Sequence, residues 1–323
     1  MTAMQLPYSE VKQKIQSAKS ISILSHLNPD ADTLGTALGI YSLLKKDKIK
    51  RVEVVNASKT LPRYLDFLPG FEKIKNKIEY EDSLIISCDC GSIDRLGFDL
   101  KGKDILNIDH HRSNTFYGNM NVVIANHASA SQVAFELFRK IYTIDADAAT
   151  CFYTALLSDT RYFTTTSVNK EVFDVAYALV DAGAKPDVIA HNFTNRRPLS
   201  SFRILEKALG SLFLSEEASV ATLFVTKKDI QATGATISDM DGIVDYARSL
   251  VTVKVAMFGM ESDEGIRISL RSKGLDVSQV ASAFGGGGHK VAAGFTMKEC
   301  ELETAMNIVL EKVKELGLLD EKK

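Results

Sequence analysis

The stretch that decides the fold is an apolar run followed by a polar loop, and residues 21–32 read ISILSHLNPDAD. Ile21–Ser25 is apolar and short enough for a buried strand, and the loop His26–Asp32 ends it. Beyond the loop, apolar residues recur at helical spacing, at Leu34, Leu38, Tyr41 and Leu44. A buried strand that leads through a polar turn into a helix is typical of α/β proteins with parallel sheets.

Further apolar runs follow, and two of them also lead to acidic or His residues. Ser83–Ser87 leads to Asp89, and Ile105–Ile108 leads to an Asp-His-His triplet at 109–111. The other predicted elements here are strands at 52–55 and 122–125 and helices at 129–141, 146–157 and 170–182. This alternation predicts a doubly wound, mostly parallel sheet, whose ligand site lies beyond the carboxyl ends of the strands.

The chain of 323 residues is long enough for two domains. A helical, partly polar stretch at 191–212 is predicted to link a domain at 1–190 to a smaller α/β domain at 213–323. The second domain is predicted to contain a strand at 220–225, a helix at 238–249, paired strands at 253–260 and 266–271, and helices at 276–284 and 302–316. A glycine-rich loop, FGGGGHKVAAG at 284–294, lies between its last two helices.

Composition restricts the partners and the compartment. The formal net charge is −2, whereas proteins that hold long duplexes usually carry a basic excess, so a short anionic substrate is favoured. We see no apolar stretch of membrane-spanning length and no signal-peptide core at the N-terminus, so we expect a cytoplasmic protein. The 4 cysteines lack the spacing of a zinc site, and free thiols are expected. Cys88 and Cys90 are two residues apart at the end of an apolar run, so they would share a face if that run is a strand.

Acidic and His residues near the element ends would form a metal site if they converge. They are His26, Asp30, Asp32, Asp89, Asp109, His110, His111 and Asp159. So many carboxylates cannot all stay ionised side by side without a cation. Oxygen ligands with one or two imidazoles suit Mn²⁺, Mg²⁺ or Zn²⁺, and the absence of thiolates argues against structural zinc. Two such ions would clamp a phosphate for in-line attack.

Each of these residues also has an ordinary structural interpretation. Asn-Pro loops are common turns, and a lone Asp after a strand is often a helix N-cap. Two consecutive His residues, however, gain little as packing, and clusters at successive element ends are hard to explain by chance. We therefore favour the metal site.

The motifs that carry a family resemblance are HLNPDAD at 26–32, CDC at 88–90, DHH at 109–111 and SDT at 158–160. They resemble successive motifs of the DHH phosphoesterase superfamily. IRISLRS at 266–272 and the glycine-rich loop resemble the DHHA1 domain, so the resemblance covers nearly the whole chain. Within the superfamily, the chain resembles the stand-alone nanoRNases and pAp phosphatases and the related hydrolases of c-di-AMP and pApA.

The resemblance implies a role for each residue of the first domain. One metal ion would be held by His26, Asp30 and Asp89. The other would be held by Asp32, Asp89, His110 and Asp159. Asp89 would bridge the two ions, and Asp109 would orient a ligand His. His111 would contact the substrate phosphate or a metal-bound water, and the nucleophile would be a metal-bound hydroxide.

Phosphate contacts are predicted mainly in the second domain, because glycine amides can approach an anion closely and Arg suits bidentate phosphate binding. The predicted substrate-binding residues are Arg112, Arg271, Gly286, Gly287, Gly288 and His289. A flexible surface loop is the alternative for the glycines. Arg161 stands where many relatives have Gly, and it would either contact a substrate phosphate or be a solvated surface residue.

The resemblance implies a homodimeric phosphoesterase with two Mn²⁺ ions, or Mg²⁺, acting on nanoRNA, pApA, c-di-AMP or pAp. Two alternatives stay open. A RecJ-like single-strand exonuclease shares both domains but usually carries further nucleic-acid-binding domains. A non-catalytic nucleotide sensor would have a decayed site, whereas every expected metal ligand is present here. The sequence does not rank the four substrates, because all present phosphate beside a nucleoside.

Overall fold

The computed structural model describes residues 6–46 and 50–319, and the chain forms two units. The first unit ends at Arg196 and the second begins at Arg197, within the predicted linker. The helices Pro186–Thr194 and Leu199–Gly210 therefore belong to different units. In the described ranges, no helix has the length and apolar character needed to cross a membrane.

The first unit is built on a parallel sheet. Its strands are β1 (Ser20–Ser25), β2 (Arg51–Val55), β3 (Ile74–Lys75), β4 (Leu84–Cys88), β5 (Ile105–Asp109) and β6 (Met120–Val123). They lie in the order β3-β2-β1-β4-β5-β6, and each neighbouring pair is parallel. The strand order reverses between β1 and β4, so the predicted doubly wound sheet is confirmed.

Helices cover one face of this sheet, and the 3₁₀ turn Ile93–Leu96 with neighbouring loop residues covers the other. The helices are α1 (Tyr8–Ser17), α2 (Ala31–Leu44), α3 (Ala130–Phe138), α4 (Ala146–Asp159), α5 (Lys170–Asp181) and α6 (Pro186–Thr194). In β1, Ile21 and Ile23 pack in the core on one face and Leu24 in a smaller core on the other. This burial on both faces explains why β1 reads as a continuous apolar run.

Small residues let α2 and α4 pack closely. A Cβ at Gly39 would lie 2.4 Å from the Phe152 ring, and a Cβ at Gly35 would lie 2.6 Å from the Cys151 carbonyl oxygen. A larger side chain at either position would push the helices apart. The contact matters for the site because α2 carries Asp32 in its first turn and α4 ends at Asp159.

The second unit contains a mixed sheet with its own core. Its strands are β7 (Phe213–Ser215), β8 (Val220–Val225), β9 (Val255–Ser262), β10 (Gly265–Ser272), β11 (Gly287–His289) and β12 (Ala292–Met297). They lie in the order β11-β12-β10-β9-β8-β7, with β8 and β9 parallel and the other pairs antiparallel. Its helices are α7 (Leu199–Gly210), α8 (Lys227–Thr233), α9 (Ile243–Ser249), α10 (Ser278–Ala283) and α11 (Leu302–Glu315).

Two predictions for this unit need correction. The predicted helix at 238–249 is a short 3₁₀ turn, Ile237–Met240, followed by α9, because Gly242 has a φ of 79° that interrupts the helix. The glycine-rich stretch is not one loop, since it contains β11, a turn and β12.

Candidate metal centre

The candidate site lies where the carboxyl ends of β1, β4 and β5 meet in the first unit. These strands are parallel neighbours, so the residues that follow them share one edge of the sheet. His26 follows β1, Asp89 follows β4, and Asp109 ends β5. Asp32 and Asp159 come from the packed helices α2 and α4.

The two carboxylates at the start of α2 are held by backbone amides. Asp30 Oδ1 accepts hydrogen bonds from the amides of Asp32 and Thr33, both at 3.0 Å, as an N-cap residue does. Asp32 accepts from the amides of Ala130 and Ser131 at 2.7 and 3.1 Å, at the beginning of α3. Asp30 therefore has the ordinary capping role, and its Oδ2 still lies 3.8 Å from His26 Nε2.

The carboxylate of Asp89 lies between two groups of candidate ligands. Its Oδ2 is 3.6 Å from His26 Nε2, and its Oδ1 is 3.5 Å from His110 Nε2. His110 Nε2 is also 3.8 Å from Asp32 Oδ2 and 3.5 Å from Asp159 Oδ2. One group is therefore His26, Asp30 and Asp89, and a second is Asp32, His110 and Asp159; a third joins Asp89 to His110 and His111, so Asp89 and His110 connect the groups.

These residues fit a pair of divalent cations. Asp89 Oδ1 is buried and has no hydrogen-bond partner among the described residues, although a buried carboxylate oxygen without a partner is costly. Two ligands that are each about 2.1 Å from one cation lie roughly 3 to 3.5 Å apart. The side chains thus need only small movements to share cations, and a cation would satisfy the unpartnered oxygen.

The backbone turns sharply at Asp89, which has a φ of 53°. Such a left-handed conformation is uncommon for a residue other than glycine and is found at functional sites.

Because β4 ends at Cys88, the prediction that Cys88 and Cys90 share a face is wrong: they belong to different cores. Both are buried free thiols.

Each His ring at the site is oriented by an acceptor at Nδ1. The acceptor is the Leu27 carbonyl for His26, at 2.8 Å, and the His127 carbonyl for His110, at 3.2 Å. Both acceptors place the proton on Nδ1 and leave Nε2 as a ligand atom.

The third ring, that of His111, faces a carboxylate at Nδ1 and not a backbone carbonyl. Asp109 Oδ1 lies 2.7 Å from His111 Nδ1, so Asp109 orients His111, whereas both predicted ligand His residues, His26 and His110, face backbone carbonyls. His111 Nδ1 is also 3.5 Å from Asp89 Oδ1. His111 therefore lies directly beside the bridging carboxylate.

The carboxyl groups titrate abnormally because they lie together in a partly desolvated site. Desolvation, and then the neighbouring carboxylates, raise the pKa of Asp89 and of Asp159 well above the usual range, and the pKa of Asp32 is also raised. Desolvation alone would raise the pKa of Asp30 and of Asp109 as well, but His26 and His111, respectively, outweigh it and lower both values.

We expect the metal-free protein to lose stability as the pH rises from about 4 towards 7. In that range the folded state keeps protons on Asp32, Asp89 and Asp159 that the unfolded chain has already released, so a rising pH favours unfolding. Urea unfolding of chelator-treated protein over a pH series measures the slope of the free energy of unfolding against pH. Asp89→Asn removes one of these titrations, and a slope equal to that of the wild type would contradict the explanation.

The turn after Asp159 contains consecutive residues with positive φ. Arg161, Tyr162 and Phe163 have φ values of 46°, 59° and 63°. The Thr160 hydroxyl holds the turn, because it donates to the Leu156 carbonyl at 2.6 Å and accepts from the Phe163 amide at 3.2 Å. Positive φ at residues other than glycine is uncommon, so this turn is an unusual backbone feature beside the site. A phosphate contact by Arg161 stays a prediction.

The predicted substrate-binding residues lie in different places. Arg112 is exposed in the first unit. In the second unit, the strand register places Arg271 of β10 and His289 of β11 opposite the same small residue, Ala292 of β12. Arg271 and His289 therefore lie on the same face of the sheet.

Arg271 is anchored within this unit. It donates to the Leu270 carbonyl at 2.9 Å, and its Nε is 3.9 Å from Asp245. Arg267 and Ser269, which were not predicted, line a cavity of about 120 Å³ together with Arg271. Arg267, Ser269 and Arg271 occupy alternate positions of the strand predicted at 266–271, which places their side chains on one face. This spacing could have identified Arg267 and Ser269 from the sequence.

The glycine-rich stretch offers fewer free amides than expected. The Gly286 amide donates to the Ala281 carbonyl at 2.9 Å, so the prediction that this amide binds an anion needs correction. Gly287, Gly288 and His289 form the exposed edge strand β11, which leaves an accessible edge for a ligand.

Two neighbouring glycines are expected to respond differently to alanine. A Cβ at Gly286 would lie 2.3 Å from the Gly294 carbonyl oxygen, whereas nothing lies within 4 Å of one at Gly287. We expect Gly286→Ala to destabilise the second unit by about 1–3 kcal/mol. Gly287→Ala should change stability by less than about 0.5 kcal/mol and raise KM if the substrate approaches this edge. Urea unfolding and steady-state kinetics of both variants measure this, and equal destabilisation would contradict the structural explanation.

Two family models match the chain in the positions of the two units. The model described as the DHH family, N-terminal domain, matches residues 20–156, and the model described as the DHHA1 domain matches residues 217–315. The candidate ligands from His26 to His111 fall in the first match, and Arg271 and the glycine-rich stretch fall in the second. Asp159 lies just beyond the first match.

Relatives match along nearly the whole chain. The bifunctional oligoribonuclease and PAP phosphatase NrnA of Thermus thermophilus is 31% identical over 91% of this chain and 89% of its own length. The protein of the same name from Bacillus subtilis is 24% identical over 88% of this chain and 92% of its own length. An exopolyphosphatase-related protein from Bacteroides fragilis has a crystal structure that matches 98% of this chain and 99% of its own, with a TM-score of 0.87 and 25% identity. The chain therefore belongs to the DHH–DHHA1 family.

Proposed function

We propose that this protein is a two-metal phosphoesterase that hydrolyses short nucleotides. The observation that carries the proposal is the position of Asp89, whose two oxygens face two separate groups of His and Asp side chains. A buried carboxylate in this position is suited to bridging two cations. No nucleophilic Ser or Cys is required, because water can be the attacking group.

The chain's own residues would bind and orient the reacting groups. His26, Asp30 and Asp89 would hold one cation, and Asp32, Asp89, His110 and Asp159 the other. When bound, such a pair supplies charge stabilisation for the phosphate and a more acidic water. In the reaction, a water oxygen bonds to phosphorus, the P–O bond to the leaving group breaks, and the leaving oxygen gains a proton. His111, held at Nδ1 by Asp109, would contact the phosphate through Nε2.

The substrate class follows from the relatives and from the charge. The relatives from Thermus thermophilus and Bacillus subtilis are named for oligoribonuclease and PAP phosphatase activity, so we propose short oligoribonucleotides and pAp as substrates here. The linear and cyclic dinucleotides pApA and c-di-AMP have the same chemistry. The formal net charge of −2 fits a short substrate better than a long duplex.

We propose Mn²⁺ as the preferred ion. Each group contains an imidazole as well as carboxylates, and a mixed nitrogen and oxygen ligand set favours Mn²⁺ over Mg²⁺, which prefers oxygen ligands alone.

A substrate panel with Mn²⁺, with Mg²⁺ and with a chelator tests the proposal. The panel contains pAp, pApA, c-di-AMP, an RNA length series, long single-stranded DNA and inorganic polyphosphate, the last because of the relative described as exopolyphosphatase-related. We expect metal-dependent turnover that is fastest on the shortest nucleotides. Processive digestion of long DNA would favour the exonuclease alternative, and binding without any turnover would favour the sensor.

A further inference from the structure

A buried asparagine lies directly beneath the candidate site. Asn114 has 6% of its surface exposed and follows the Asp-His-His triplet in the loop between β5 and β6. Its Nδ2 donates to Asp109 Oδ2 at 2.5 Å and to the Cys90 carbonyl at 3.2 Å. One amide group therefore connects the loop after β4 with the end of β5.

The amide of Asn114 uses its full hydrogen-bonding capacity. While Nδ2 donates to Asp109 and Cys90, Oδ1 accepts from the Phe116 amide at 2.7 Å and from Asn107 Nδ2 at 3.2 Å. Two donors and two acceptor positions are all that an asparagine side chain offers. The opposite amide orientation would place an oxygen against the Asp109 carboxylate, so the network determines a single orientation.

The first contact of Asn114 acts on His111. Asp109 is completely buried, and it receives hydrogen bonds from His111 at Oδ1 and from Asn114 at Oδ2. Without the Asn114 donor, this buried carboxylate would lose a partner and its orientation would no longer be determined on that side. The ring of His111 depends on the same carboxylate.

The second contact acts on Asp89. The Cys90 carbonyl, one residue after Asp89, accepts from both Asn114 Nδ2 and the Tyr117 hydroxyl, at 3.2 and 3.1 Å. A residue with a positive φ such as Asp89 keeps its conformation only when the surrounding contacts hold it. Asn114 supplies one of those contacts.

We propose that Asn114 is a positioning residue that sets the relative placement of Asp89 and His111, whose side chains lie 3.5 Å apart. This proposal rests on the proposed function for its kinetic consequence, but the hydrogen bond of His111 can be measured without any substrate. Asn114 acts only through Asp109 and Cys90 and touches no reacting atom.

A matched asparagine at the end of the same connection, in the second residue of β6, provides the control. Asn121 is also held by amide hydrogen bonds: it accepts from the Gly118 amide at 3.0 Å and donates to the Gly118 and Phe116 carbonyls at 2.7 and 3.3 Å. Asn121 Oδ1 also accepts from Asn107 Nδ2 at 3.3 Å, a partner that it shares with Asn114, but among the described residues Asn121 has no hydrogen bond to Asp109 or Cys90. A role that is merely structural for the loop would make the alanine variants at 114 and 121 alike.

The experiment compares Asn114→Ala with Asn121→Ala in the full chain. For Asn114→Ala we expect kcat to fall by about 10–100-fold with KM within about twofold, as for groups that orient metal ligands. In metal-free protein with ¹⁵N-labelled histidines, we expect the downfield Nδ1 proton of His111, assigned with His111→Gln, to shift or disappear in Asn114→Ala. Asn121→Ala should keep both kcat and that resonance.

The outcomes separate this proposal from the proposed function. Equal kcat in the two variants, or an unchanged His111 resonance in Asn114→Ala, would overturn the role of Asn114. If Asn114→Ala fails to fold, the pair Asn114→Ser and Asn121→Ser replaces it, because a serine hydroxyl donates to one acceptor only, and the same criteria decide. If the wild type hydrolyses no member of the panel, the proposed function fails, and the resonance alone then decides the role of Asn114.

Discussion

Replacing Asp89 with Asn is expected to lower kcat by about 1,000-fold or more, because one bridging carboxylate serves both cation groups. The same change should leave the metal-free protein at least as stable as the wild type. Asp89 is buried, desolvation raises its pKa well above the usual range, and its Oδ1 has no hydrogen-bond partner in the described part of the chain. A neutral amide of nearly the same shape removes that cost.

Steady-state hydrolysis and urea unfolding in the presence of a chelator measure the two effects. Asp94→Asn is the matched control, because Asp94 is an exposed carboxylate only five residues further along the chain. It should change neither quantity. Loss of both activity and stability in Asp89→Asn would show that Asp89 is a structural residue, and full activity would rule out the bridged site.

Adding Mn²⁺ is expected to raise the unfolding temperature of the first unit by about 5–10 °C at a concentration 100-fold above Kd. The physical reason is that cations remove the repulsion among Asp32, Asp89 and Asp159, whose raised pKa values reflect desolvation and mutual proximity. Binding to the folded state alone stabilises it by about 2.7 kcal/mol at that ratio.

Differential scanning calorimetry with Mn²⁺, Mg²⁺ and Ca²⁺ measures this effect, and a chelator should reverse it. Asp89→Asn should lose most of the increase, whereas Asp94→Asn should keep it. An unfolding temperature that does not respond to millimolar Mn²⁺ or Mg²⁺ would contradict the metal site itself, whatever the activity.

Local pattern was sufficient to predict the first unit because its strands are buried on both faces and therefore read as short apolar runs. Ile21–Ser25 and Ile105–Ile108 correspond closely to β1 and β5, and the polar residues after them mark one edge of the sheet. The shorter elements were missed. Ile74–Lys75 and Phe213–Ser215 have two and three residues, too few for any periodicity.

Pattern failed where a single backbone angle or a distant partner decides the structure. The helix predicted at 238–249 is interrupted at Gly242, and Cys88 and Cys90 do not share a face as expected, because β4 ends at Cys88, before the positive φ of Asp89. Neither the interruption of the helix nor the end of the strand alters the spacing of the apolar residues, so that spacing could not predict them.

The sequence by itself determined the fold class, the two-domain order and the identity of the candidate ligands, since these depend on residue types and on the period of burial. Only the tertiary structure decided which side chains meet. It pairs Asp109 with His111 and leaves His110 to a backbone carbonyl, and it places Asn114 between Asp109 and Cys90. The contact between Asn114 and the Cys90 carbonyl joins the loops that follow β5 and β4, and it depends on how these strands lie side by side. No local propensity encodes a contact between separate loops.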